Sequence, residues 1–163
     1  MLKPIKLAKK NFLSSLDMST EEAIHILELA KQIKNKKFNF VLKENVLGLI
    51  FDKSSTRTRV SFQVAMSQLG GTTIDLNPNS SQIGRGEPIK DTARVLSRYC
   101  DALAIRTFNQ SVLEEYAKWS SKPVINALTD LEHPCQALAD FMTIKEEFFD
   151  FKDVILTFIG DGN

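Results

Sequence analysis

A chain of 163 residues can fold as one domain around a sizeable core, and its 43% hydrophobic and 25% charged residues are ordinary for a globular protein. Lys and Arg number 21 against 20 Asp and Glu, a net charge of +1 that argues against nucleic acid as a partner. No apolar stretch approaches membrane-spanning length, no signal-peptide core opens the chain, and Cys100 and Cys135 lack metal-like spacing, so the expectation is a cytoplasmic protein with reduced thiols, no membrane partner and no metal.

Along the chain the hydrophobic periods alternate. Ser19-Thr20-Glu21-Glu22 has the form of a capping box, and Ala23, Leu27, Ala30 and Ile33 predict a helix after it. A lysine-rich link, Lys31 to Lys43, leads to a strand over Val46–Phe51. A helix follows over about Thr58–Leu69, closed by Gly70-Gly71, and then a strand over Thr72–Leu76. After the turn-rich stretch "NPNSSQIGRGE", a helix runs from Pro88 to about Tyr99, with Pro88 in the first turn. Ala102–Arg106 reads as a strand, Gln110–Trp119 as a helix, Val124–Asn126 as a strand and Pro134–Glu147 as a helix. A last strand, Val154–Ile159, runs into "GDGN".

Strands alternating with helices predict an α/β fold: a three-layer α/β/α arrangement around a parallel sheet of about four strands, joined by right-handed crossovers. Ligands of such sheets bind beyond the carboxyl ends of the strands, near the switch in strand order. That rule directs attention to the segments after Phe51, Leu76, Ile105 and Asn126.

The first of these, "KSSTRTRVSF" from Lys53 to Phe62, is dense in hydroxyls and cations where a strand hands over to a helix. The leading N–H groups of that helix lack intrahelical partners and attract anions. Ser55, Thr56 and Thr58 add hydroxyl donors, and Arg57 adds a forked cation matched to phosphate oxygens. The segment has no glycines, so it suits a compact phosphate rather than a wrapped triphosphate. Arg106 closes the third strand, where a cation can face the same crevice. His133 precedes Pro134 and a helix start, where a neutral imidazole is favoured and can donate to a carbonyl; Gln136, about one turn on, can bond an amide-like group through either end. His25, between Ile24 and Ile26 of an amphipathic helix, reads as structural or surface. Together these groups ask for a small molecule with a phosphate, a carbonyl and an NH2 group, and carbamoyl phosphate has all three.

Three stretches, "FDKSSTRTR" (51–59), "SQIGRGEPIKDTARVLSRY" (81–99) and "HPCQALAD" (133–140), resemble the signature blocks of the aspartate/ornithine transcarbamylase family, specifically its N-terminal carbamoyl-phosphate domain. The resemblance covers essentially the whole chain. Within the family, "F-x-K-x-S-T-R-T-R" and "H-P-C-Q" resemble the ornithine transcarbamylases. The aspartate enzymes more often have a proline where this chain has Ser54, and they carry a catalytic lysine in the loop that here has Arg85 and no lysine before Lys90.

The resemblance implies a division of labour. Ser55, Thr56, Arg57, Thr58 and Arg106 would hold the phosphate; Thr58, Arg106 and His133 would polarise the carbamoyl oxygen; Gln136 would fix the NH2 end. Arg57, Arg106, His133 and Gln136 are the catalytic set so implied. Gln82 would reach the carbamoyl phosphate of a neighbouring subunit in a homotrimer or a multiple of trimers. The acceptor would be L-ornithine, giving citrulline and phosphate in arginine biosynthesis, with no cofactor or metal. Arg59 either binds ligand or braces the loop or a subunit contact, and Lys53 either lends a positive field or is solvated. Residues 1–150 would form the carbamoyl-phosphate domain and 151–163 the start of an ornithine-binding domain that is otherwise missing, so the isolated chain is expected to be inactive. Two other readings remain open: a transcarbamylase for aspartate, putrescine or an acylated ornithine, and a carbamoyl-phosphate or phosphate-binding module without chemistry.

Overall fold

The computed structural model describes residues 5–35, 42–77, 82, 86–148, 150–151 and 153–160. In chain order it forms α1 (Thr20–Lys34), β1 (Val46–Phe51), α2 (Arg57–Gln68), β2 (Thr72–Leu76), α3 (Ile89–Tyr99), β3 (Ala102–Arg106), α4 (Gln110–Trp119), β4 (Val124–Leu128) and α5 (Pro134–Phe148). The caps explain several of these boundaries. The Ser19 side chain accepts from the Glu22 N–H while the Glu22 carboxylate accepts from the Ser19 N–H, the expected capping box of α1. At the other end of α2, Gly70 adopts φ 81, and the Gly71 and Gly70 N–H groups close back on the Met66 and Ser67 carbonyls. That left-handed step suits glycine and turns the chain directly into β2.

The four strands pair in parallel in the order β2-β1-β3-β4. Central strands of a parallel sheet are covered on both faces, which is why β1 and β3 are nearly continuous apolar runs. On one face Ile50, Leu103, Ile105 and Val124 pack with Ala93 of α3 and Leu113, Tyr116 and Ala117 of α4. On the other, Leu47, Leu49, Phe51, Ala104 and Ala127 pack with Met66 and Phe62 of α2. The α/β class and the three layers are as expected. α1 and α5 lie together, tied by Lys145 to Glu28 and Lys34 to Glu146.

Gly48 lies in β1 where the backbone meets the α3–β3 corner. A Cβ there would stand 2.8 Å from Leu103 Cδ2 and 3.0 Å from Cys100 Sγ, both fully packed. Gly48→Ala should therefore destabilise the chain by about 1–3 kcal/mol, the usual range for overpacking. Denaturant unfolding checks this, and an unchanged midpoint would mean that the corner relaxes freely.

Four expectations need correction. Pro88 is the N-cap of α3, with φ −58 and ψ 136, not a residue of its first turn; its ring fixes φ while its extended ψ lies outside the helix. Lys31 and Lys34 belong to the last turn of α1, where cations suit the helix dipole, so the link begins later; 36–41 lie outside the described residues. β4 continues two residues past Asn126 to Leu128. Residues 154–159 form no strand: Ile155, Leu156, Phe158 and Ile159 are exposed. A strand needs a partner ladder, and 154–159 pair with neither edge of the β2-β1-β3-β4 sheet; along the outer side of β4 it is Phe12 that donates to Val124 O and accepts from the Asn126 N–H. The structure also contains a short 3-10 turn, Ser15–Asp17, capped by Ser14, where no element was expected.

Candidate functional site

β1 and β3 are neighbours whose chain continuations leave in different directions, so a crevice opens beyond Phe51 and Arg106, which stand side by side in the register. α2 begins at one wall of this crevice. Its N-cap, Thr56, has helical backbone angles and makes no side-chain cap hydrogen bond. The hydroxyls that would ordinarily close a helix start are thus left for another partner, and the positive end of the helix stays open. Ser54, Ser55, Thr56, Arg57, Thr58 and Arg106 surround a cavity of about 270 Å³.

Arg106 is aimed by an irregularity in the sheet. Ile105 faces Asn126 but Arg106 faces Leu128, so β4 carries an extra residue at Ala127. Such a bulge turns the strand end and re-aims its side chains. Buried Asn126 holds it: its amide oxygen accepts from the Leu128 N–H at 2.8 Å and its NH2 donates to Leu13 O at 2.9 Å. Leu128 itself has φ 135, a strained conformation for a branched residue, kept at the crevice wall by the surrounding bonds.

Arg106 Nε is buried without a hydrogen-bond partner, and burial followed by the charge of Arg57 pushes the guanidinium below its ordinary value. No carboxylate pairs with Arg57 or Arg106 among the described residues. Two cations face one polar cavity with nothing negative between them. An anion with several acceptor oxygens relieves both the repulsion and the orphaned N–H.

Beyond Arg57, Thr58 and Arg106 lies a second cavity of about 520 Å³, which these three share with His133, Gln136, Cys135, Leu128, Phe62 and neighbouring α2 and α5 residues. His133 is half-buried, and its imidazole is pushed below the ordinary value by burial and then by Arg106, with Asp140 acting the other way. Its Nδ1 accepts from the Gln136 N–H at 3.4 Å, which leaves Nε2 as the protonated nitrogen able to donate. Cys135 Sγ donates to Asn126 O at 3.4 Å, and burial pushes the thiol up to about 11, so it packs as a protonated side chain rather than a nucleophile.

The neutral imidazole is testable in the ligand-free chain. An NMR titration should place the His133 midpoint below the ordinary 6.5, and Arg106→Met should move it upward by removing one cause. Because folding lowers this pKa, protons favour the unfolded state. The contribution of His133 to stability is full above 6.5 and declines as pH falls from there toward the folded value. A midpoint at or above 6.5 would contradict the burial and charge arrangement described.

The structure thus brings Ser55, Thr56, Arg57, Thr58, Arg106, His133 and Gln136 to one crevice. Gln82 is exposed and lines neither cavity; its carbonyl accepts from the Glu87 N–H. Arg85 and the other residues of 83–85 lie outside the described set, as do 78–81 and the "DGN" of "GDGN". Arg59 turns away, pairing with Asp75 and covering the Phe51 ring at 4.8 Å, so it braces α2 against β2. Lys53 pairs with Asp130 and sits 4.5 Å from the Phe108 ring centroid, tying together the loops after β1, β3 and β4. It is neither free nor a ligand-facing charge. Sequence reading missed Asn126 and Leu128, since the only signal was a lone polar residue in an apolar strand. An apolar cavity of about 400 Å³ between α1 and α5, lined by Met18, Ile24, Leu27, Leu138 and Phe141 among others, has no charged lining residue and does not suit an anion.

Fold and crevice together define a parallel α/β domain with a polar, cationic crevice beyond the carboxyl ends of β1 and β3. The family model for "Aspartate/ornithine carbamoyltransferase, carbamoyl-P binding domain" matches residues 10–146, and the chain belongs to that family. It is 79% identical over all of its 163 residues to 53% of the ornithine carbamoyltransferase of Prochlorococcus marinus subsp. pastoris. Among solved structures, it resembles ornithine carbamoyltransferase from Gloeobacter violaceus at 51% identity and TM-score 0.82, over 90% of this chain and 48% of that one. It also resembles aspartate transcarbamoylase from Trypanosoma cruzi, in complex with carbamoyl aspartate and phosphate, at 32% identity and TM-score 0.80, over 88% of this chain and 48% of that one. The chain spans about half the length of the curated relatives it matches.

Proposed function

We propose that the protein containing this chain transfers the carbamoyl group of carbamoyl phosphate to the side-chain amine of L-ornithine, giving citrulline and phosphate, and that this chain supplies the carbamoyl-phosphate half of the site. The observation that carries the reading is the pair Arg57 and Arg106, paired with no carboxylate among the described residues and facing the uncapped start of α2, with His133 and Gln136 on the adjoining wall. The phosphate sits among Ser55, Thr56, Arg57, Thr58 and Arg106. Arg106, His133 and Thr58 point donors at the carbamoyl oxygen, and Gln136 meets the NH2 end. When the amine attacks, a C–N bond forms, the carbonyl oxygen becomes an oxyanion held by those donors, the C–O bond to phosphate breaks and the amine loses a proton. Positioning two reactants and stabilising the oxyanion then account for catalysis.

Higher identity to ornithine than to aspartate enzymes supports ornithine as acceptor. The acceptor groups belong to a second domain of which 151–163 is the beginning, with 1–150 as the carbamoyl-phosphate domain. The reading further places the enzyme in the cytoplasm and in arginine biosynthesis. The full-length protein should form citrulline from carbamoyl phosphate and ornithine, and the isolated chain should form none. Carbamoylation of aspartate, putrescine or an acylated ornithine instead would overturn the acceptor, and phosphate binding without any transfer would reduce the protein to a binding module.

The same reading makes the full-length protein a trimer, or a multiple of trimers, in which Gln82 of one subunit completes the next subunit's site. Such a head-to-tail contact closes a ring under three-fold symmetry. Inactive Gln82→Ala and Arg57→Ala full-length subunits, mixed and exchanged, should recover activity in about a quarter of the sites of a random mixture, because those sites have both residues intact. Proven exchange without recovered activity would refute sharing.

A further inference from the structure

Gln136 can meet a ligand with either end of its amide, and the two ends have opposite consequences. An NH2 group on the ligand needs an acceptor; the amide oxygen of Gln136 supplies one, whereas its NH2 would oppose donor to donor. The side chain that decides between them is Asp140, one turn further along α5. Gln136 Nε2 donates to Asp140 Oδ1 at 2.9 Å. A carboxylate only accepts, so the Gln136 amide has one orientation beside it: its NH2 is taken by Asp140, and its oxygen is the end left for a ligand in the cavity that Gln136 lines with His133 and Arg106. The reversed amide would set two oxygens against each other. The i, i+4 spacing on a helix brings such a pair into contact without strain.

We propose that Asp140, which lines neither cavity of the crevice, is a positioning residue that makes the site selective for a ligand bearing NH2 at this point, by fixing which end of Gln136 faces it. The inference rests on the carbamoyl-phosphate reading above but not on the identity of the acceptor.

The probe is a pair of ligands differing at that group, carbamoyl phosphate and acetyl phosphate, whose methyl replaces the NH2. Binding constants of both are measured for the full-length protein and for its Asp140→Ala, Asp140→Asn and Gln136→Ala variants. The unaltered protein should prefer carbamoyl phosphate. Asp140→Ala frees the Gln136 amide and should weaken carbamoyl phosphate by about five- to tenfold, the value of one hydrogen bond, while leaving acetyl phosphate within about twofold. Asp140→Asn keeps the shape but can accept from Gln136 or donate to it, so both amide orientations become open and most of the preference should be lost, as with Asp140→Ala. Gln136→Ala should remove the preference, and adding Asp140→Ala to it should change little, because the two residues act through one contact. Equal weakening of both ligands by Asp140→Ala, or an undiminished preference, would overturn the positioning role. Failure of the unaltered protein to bind carbamoyl phosphate would overturn the carbamoyl-phosphate reading and this inference together, whereas a different acceptor amine would leave these binding constants untouched.

Discussion

Arg106→Met should nearly abolish phosphate-dependent binding while leaving the empty protein as stable as before, or slightly more so. Arg106 ends β3 with a buried, unpartnered Nε, and burial and Arg57 both disfavour its charge. Such an arrangement carries a cost in the absence of ligand, which an unbranched apolar side chain of similar length removes while keeping the packing. With an anion bound, the same guanidinium is desolvated, forked and opposite several oxygens. Losing each charge-assisted bond costs about 1.5–3 kcal/mol, roughly ten- to a hundredfold in affinity or more. Calorimetry with carbamoyl phosphate and with phosphate, beside a denaturant unfolding curve, reads both halves of this result. Unchanged affinity would remove Arg106 from the site. A large loss of stability would mean that the residue is there for the fold.

His133→Ala in the full-length protein should act on rate more than on binding. His133 lines the cavity with Nδ1 engaged by the Gln136 N–H, which leaves Nε2 as its donor, and a ring held neutral by burial and by Arg106 donates without adding a third cation. Negative charge gathers on the carbamoyl oxygen only as the amine attacks, so a donor aimed there is stronger in the transition state than in the ground state. Removal of one such donor typically costs about 10²–10³ in kcat. The substitution leaves the proposed phosphate contacts from Ser55 to Thr58 in place, so the binding constant for carbamoyl phosphate should move by less than about tenfold. A variant that loses affinity and rate in equal proportion would instead assign His133 to ground-state binding.

The chain's own residues determined most of the architecture, because its elements are locally encoded. The Ser19–Glu22 box, the Gly70-Gly71 closure and the apolar runs of β1 and β3 each act within a few residues, and they reappear in the structure with nearly the expected limits. The cluster at 53–59 was legible for the same reason: a strand-to-helix handover exposes helix N–H groups wherever it occurs. Which members of that cluster face the crevice was a different matter. Arg57 and Arg59 differ by two residues on one helix, yet Arg57 lines both cavities and Arg59 pairs with Asp75 of β2. Lys53 was captured by Asp130, 77 positions away. The bulge that aims Arg106 depends on Asn126 bonding Leu13, 113 positions away, and the outer side of β4 is taken by Phe12, not by the apolar run 154–159. Those outcomes rest on partners brought close only by the closed sheet, and local periodicity carries no record of such distant pairings.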